Sequence, residues 1–168
     1  MSYAQDTSVT EDRSRQEIER MLMKYGASRF GCLSDYEHKF ALIEFTYKKI
    51  AIQMQIPVPD RQDKKFTRCS GRMSAYRRDE SSAQKLYEQE VRRKWRSLSL
   101  ALKAKLVAVE DGITTFETEF MPYMVTDNGQ TLAERFQKSI IAAATTGRLC
   151  LPGPVAPADE NIIDAEVA

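Results

Sequence analysis

The chain carries a single histidine, His38, in 168 residues. A lone histidine cannot make a zinc site without cysteine or carboxylate neighbours at suitable spacing, and in its setting, "DYEHKF", Asp35, Glu37 and His38 could approach a metal only by accident of folding. The three cysteines, Cys32, Cys69 and Cys150, are far apart and form no CxxC pair. An odd, scattered set of this kind fits thiols in a reducing cytoplasm better than a disulfide framework. GxSxG, Walker A and GxGxxG patterns are all missing, so neither a nucleophile elbow nor a phosphate-cradling or dinucleotide loop is expected, and no cofactor is implied. No run of 18 apolar residues occurs, so no membrane span is expected. The first residues, "MSYAQDTSVTEDRSRQ", are polar and acidic, unlike a signal peptide. Together these absences point away from an enzyme and towards binding.

What the chain does have is uneven charge. Its net charge is only +1, but residues 61–105 hold 14 basic and 5 acidic groups, a surplus of nine, and residues 106–168 hold 3 and 10. A basic block between less positive ends is the signature of an acidic partner, or else of a solvated face that happens to be rich in arginine.

The hydrophobic pattern predicts an α+β fold. An N-terminal helix is expected from Asp12 or Ser14, where Ser14 and Glu17 have capping-box spacing, with Ile18, Met21, Leu22 and Tyr25 on one face and Gly26 as its stop. A three-stranded antiparallel meander follows. "RFGCL" is a weak strand, "FALIEFTY" sets Ala41, Ile43 and Phe45 on one face, and "IAIQMQI" alternates cleanly after a tight Lys48-Lys49 connection. "PVPD" ends the sheet, because proline cannot donate to a ladder.

Residues 58–80 show neither helical nor strand period and read as a long basic loop. Arg61, Lys64, Lys65, Arg68, Arg72, Arg77 and Arg78 are interleaved there with Phe66 and Tyr76. Charges that meet phosphates and rings that stack on bases suit a single nucleic-acid strand. A solvated linker is the alternative.

A long central helix of about 30 residues, roughly 45 Å, should run from Ser81 or Ser82 to Gly112. Tyr87, Val91, Trp95, Leu98, Leu102, Leu106 and Val109 form its core stripe. Lys85, Arg92, Arg96 and Lys103 fall on an adjacent face. Leu86, Leu100 and Val107 lie on the back and suggest a second packing surface, against the last helix or a second copy of the chain. Two shorter C-terminal helices are expected. One opens at Thr114 with Ile113, Phe116 and Phe120 as its apolar face. The other opens at Thr131 with Leu132, Phe136 and Ile140, and ends near Gly147. The domain plan is a flexible 1–11, one α+β domain over 12–147 and a disordered, proline-rich acidic tail over 148–168.

The segments "RQEIERMLMKYGASRFG", "YEQEVRRKWRSLSLALKAKLVAVEDGITTFETEF" and "NGQTLAERF" resemble a family of small tailed-phage and prophage proteins, mostly of unassigned function. The resemblance covers about residues 8–146 and is most specific in "KAKL-AVE-GI-TFE-EF". It implies a phage origin and a bacterial host cytoplasm, and it carries no catalytic residues to this chain.

The expectation is therefore a non-enzymatic, phage-type nucleic-acid-binding protein. Single-stranded DNA is the favoured partner, in replication, recombination or repair. Its candidate contacts are Lys64, Lys65, Phe66, Arg68, Arg72, Tyr76, Arg77 and Arg78, extended by Arg92, Arg96 and Lys103. The alternative is an interaction factor or inhibitor that targets a host or phage protein. A metal-dependent nuclease built on Glu110, Asp111, Glu117 and Glu119 comes third, because helix capping explains those carboxylates better. A homodimer or higher oligomer through the long helix is a further expectation, with no membrane partner.

Overall fold

Residues 4, 7–35, 37–70 and 75–147 are described by the computed structural model, so Arg72, Cys150 and the acidic tail lie outside the described residues. The architecture is α+β. Helix α1, Glu11–Tyr25, begins where the extended Thr10 accepts a hydrogen bond from the Arg13 amide at 3.3 Å. The expected cap, Ser14, is instead buried inside the helix and donates to the Thr10 carbonyl at 3.2 Å. Glu17 reaches Arg96 rather than back to a cap. Gly26 ends the helix at φ 98°, a left-handed conformation that favours glycine, with its amide and that of Ala27 bonded to Met23 and Leu22.

Strands β1 (Arg29–Asp35), β2 (Phe40–Tyr47) and β3 (Ile50–Pro57) form an antiparallel meander in that order. The period-two pattern decides its faces. Ala41, Ile43 and Phe45 of β2 and Ile52, Met54 and Ile56 of β3 are all buried. The β2–β3 connection is a two-residue turn with Lys48 at φ 46° and Lys49 at φ 70°. Such turns match the twist of the strands but favour Asn-Gly over lysine.

Helix α3, Glu80–Glu110, spans 31 residues and is capped by Asp79, whose carboxylate accepts from the Ser82 amide at 2.8 Å. The cap precedes the serines that spacing suggested. Trp95, Leu98, Leu102 and Leu106 are buried in the same core as Ile18 and Leu22 of α1 and the inner residues of the sheet. The back of α3 is open, with Leu86 and Val107 exposed.

Helix α4, Phe116–Phe120, is capped by Thr115 rather than Thr114, and Ile113 is 78% exposed, so it is not part of the apolar face. Phe116 lies 4.3 Å from Tyr47 and Phe120 meets Phe45 edge-on at 5.9 Å, which closes one end of the core. A 3-10 turn over Met121–Tyr123 then leads to Met124, which bridges Ile52, and to Val125, whose amide bonds Ala51 on β3. The chain divides into two units at Leu132. Helix α5 (Leu132–Thr146), all but its first residue in the second unit, is amphipathic, buries none of its described residues and gives way to Gly147 at φ 70°.

The core and the hairpin can each be tested by one substitution. Trp95→Ala should cost about 3–5 kcal/mol of stability, read by denaturant melts, because it opens a large cavity under α1. Lys49→Gly should stabilise by about 1 kcal/mol by removing the left-handed penalty. A melt equal to that of the parent chain would show that the turn is unstrained.

Candidate nucleic-acid interface

The segment expected to be a featureless loop has structure. Asp63 caps a single-turn helix, α2 (Lys64–Thr67), by accepting from the Lys65 amide at 3.0 Å. A two-stranded ribbon follows, β4 (Arg68–Ser70) paired antiparallel with β5 (Ala75–Arg77). Elements of three and four residues are too short to display a period of 2 or 3.6, which is why the sequence pattern missed them.

Phe66 anchors this small module. It is 4% exposed and meets Tyr87 of α3 edge-on at 5.9 Å. It is therefore a core contact with no face open to a base, which corrects its expected role as a stacking residue. Arg78 is also a structural clamp. Its amide bonds the Thr67 carbonyl at 2.8 Å, and its guanidinium donates to the carbonyls of Phe66 at 3.0 Å and Arg68 at 3.4 Å. Lys65 crosses to Glu90 on α3 at 3.7 Å and lies 4.7 Å from the Phe66 ring. Glu90 in turn accepts from Arg93 at 2.5 and 2.8 Å. The Arg93 hydrogen bonds, aided by the charge of Lys65, hold the Glu90 carboxyl below its ordinary range.

The other candidates divide. Lys64, Arg68 and Arg77 are exposed, and Arg68 stands directly opposite Arg77 across the ribbon. Tyr76 shares the other face with Cys69 and is 61% exposed. A hydrogen bond to the Cys69 thiol is the main cause that raises the Tyr76 hydroxyl above its usual pKa, so its ring is neutral. On α3, Arg92 donates to Gln89 at 2.8 Å and Arg96 is ion-paired with Glu17 of α1, whereas Lys103 is exposed. The basic stripe seen on the helical wheel is thus broken by internal pairs.

Three further residues, Lys39, Arg61 and Tyr87, come to the same region. A cleft of about 560 Å³ is lined by Lys39, Arg61, Tyr87, Arg92 and Trp95, with Glu11, Asp60 and Glu88 among its acidic groups. The Arg61 guanidinium lies 5.2 Å from the centre of the Tyr87 ring, so Tyr87 connects the cleft to Phe66. Lys39 bonds Asp60 at 2.6 Å and holds its carboxyl below the usual value. Periodicity assigned Tyr87 to the core stripe and gave no sign of the cleft, which needs the ends of β1 and β3 beside α3. Arg61 was visible as the first cation after "PVPD". No group of three or more histidine, cysteine or carboxylate residues that could hold a metal occurs among the described residues.

Glu90→Gln should loosen the module and remove part of the acid dependence of stability. A depressed carboxyl adds stability that is complete above its unfolded pKa, about 4.3, and is lost as pH falls through the lower folded value. Melting temperatures across the acid range should therefore fall less steeply in the variant. Parallel curves would show that Glu90 adds nothing. None of the protein-family models, curated proteins or solved structures compared with this chain matches it.

Proposed function

We propose that the chain is a non-enzymatic nucleic-acid-binding protein of phage type. Single-stranded DNA is its favoured ligand, and it serves replication, recombination or repair in a bacterial host cytoplasm. One observation carries the reading: Arg68 faces Arg77 across the β4–β5 ribbon, with both side chains exposed. Like charges directly opposite destabilise a strand pair, and a phosphate set between them relieves that cost. Tyr76 offers a neutral, exposed ring on the other face. A flexible strand that wraps the ribbon can place its backbone on the arginines and a base on the tyrosine, whereas a stacked duplex offers no free base face. Lys64 extends the charge at one end, and Lys103 adds a separate cation on α3.

The mixed charges of the cleft favour a second reading, in which a protein surface docks on the same region. The two readings differ in salt dependence and in the probe that binds. The parent chain should bind a labelled single-stranded oligonucleotide without strong sequence preference, with log K falling as log salt rises, by about 0.7 per neutralised phosphate. The combined variant Lys64→Gln, Arg68→Gln, Arg77→Gln should melt at or slightly above the parent temperature, because it removes the opposed charges of the ribbon. It should bind all sequences more weakly and flatten the slope by about 0.7 for every phosphate it no longer neutralises. An unchanged affinity and slope would remove the ribbon from the interface. A folded, monodisperse parent chain that binds no oligonucleotide at low salt would leave only the protein-partner reading.

A further inference from the structure

One edge of the sheet has no backbone partner among the described residues. Strand order is β1-β2-β3, and the far side of β3 is met by Met124 and by the Val125 amide. β1 is paired on one side only, with β2. Its seven residues, Arg29–Asp35, include no proline and no lysine, the residues that commonly protect an edge from pairing with another chain.

The outer face of β1 carries Arg29, Gly31, Leu33 and Asp35, since alternate residues of a strand share a face. Leu33 is 57% exposed. Gly31 is exposed, has an ordinary φ and has no atom within 4 Å of the point where a Cβ would sit. It lies at a depression of about 380 Å³ whose lining includes Leu33, Leu42, Glu44 and Thr46. The edge thus bears a protruding leucine two residues from a notch.

We propose that β1 is a self-association edge, at which two copies pair antiparallel about a two-fold axis through Cys32 and join their three-stranded sheets into a continuous six-stranded one. This register opposes Arg29 to Asp35 of the second copy, and Gly31 to its Leu33, twice over by symmetry. Each leucine fills the other copy's notch, and each arginine meets a carboxylate. The Asp35 carboxyl is kept below its ordinary range by hydrogen bonds from the His38 amide and ring. Shifting the register by two residues one way opposes Arg29 to Leu33 and breaks both matches; shifting it the other way moves the partner of Arg29 to Glu37, beyond the end of the strand, and sets the two Leu33 side chains against each other and away from the glycine. A two-fold pair is the closed form that such a self-complementary edge dictates. One strand pair buries less than the roughly 1,200 Å² of a standard interface, so the dimer forms reversibly and with concentration.

The proposal is tested on the full chain without nucleic acid, so it stands or falls independently of the function proposed above. Sedimentation or light scattering from about 10 μM to about 1 mM should show the mass rising from 19.2 kDa towards twice that value. Leu33→Asp and Gly31→Lys change exposed positions with open space, so both should keep the parent circular dichroism and stay monomeric. A variant with Cys69→Ser and Cys150→Ser, which leaves Cys32 alone, should give a covalent dimer with a short bismaleimide. Adding Leu33→Asp to it should abolish that product. A monomer at every concentration would overturn the proposal. So would a dimer that survives both substitutions, or one in which Cys32 does not cross-link, since its interface would then lie elsewhere, for example on the exposed back of α3.

Discussion

The first unit is organised around one buried contact, the Trp95 ring beneath the Arg15 guanidinium, 4.4 Å from its centre. Trp95 is 1% exposed and belongs to α3, Arg15 belongs to α1, and Arg15 also donates to Ser34 of β1 at 2.9 Å. One cation therefore ties both long helices to the sheet. A guanidinium over an indole adds electrostatic attraction to the hydrophobic burial of the ring, more so as water is excluded. The ion pair of Glu11 with the same Arg15 orients it, and that of Glu17 with Arg96 fixes how α1 lies along α3. The site inherits this arrangement, because the start of α3 provides Tyr87 and Glu90, on which the basic module rests.

Much of the architecture was legible where patterns are long. The alternation in β2 and β3 and the 3–4 spacing in α3 each cover enough residues to override local noise, and Gly26 marked the end of α1. Caps were less legible. Thr10, Asp79 and Thr115 each lie one or more positions away from the residue that spacing favoured, because serine, threonine and aspartate crowd every helix start here and only the backbone turn chooses among them. Ile113 shows the limit of apolar spacing. It fits a helical face by count, yet it precedes the cap and points to solvent.

The candidate site was legible as a charge surplus but not as a geometry. Sequence treats Lys64, Lys65, Arg68, Arg77 and Arg78 alike. Structure separates Arg78 and Lys65, which hold the module to its own backbone and to Glu90, from Lys64, Arg68 and Arg77 at the surface. The same sorting applies on α3, where Arg96 is occupied by α1 and Lys103 is exposed. An acceptor well away in sequence, a carboxylate for Lys65 and Arg96 and a backbone carbonyl for Arg78, decides whether a cation is part of the fold or part of the surface, and no short local window contains it. Phe66 is the aromatic counterpart, since only the position of Tyr87 shows that its ring is covered.

The partnership of α1 with α3 has a kinetic consequence. The meander forms between neighbours in sequence, joined by a two-residue turn at Lys48-Lys49. The bonds that seat α1 on α3, by contrast, join Glu17 to Arg96 and Thr7 to Gln89, 79 and 82 residues apart. Closing a chain segment of that length costs about 4 kcal/mol of entropy by its logarithmic term, and nothing offsets it until α3 has formed and presents Trp95. The hairpin strands and α3 can therefore organise first, with α1 arriving last to cover them. A nascent chain emerges with its N-terminus first, so α1 leaves the ribosome early and must wait for the helix it packs against.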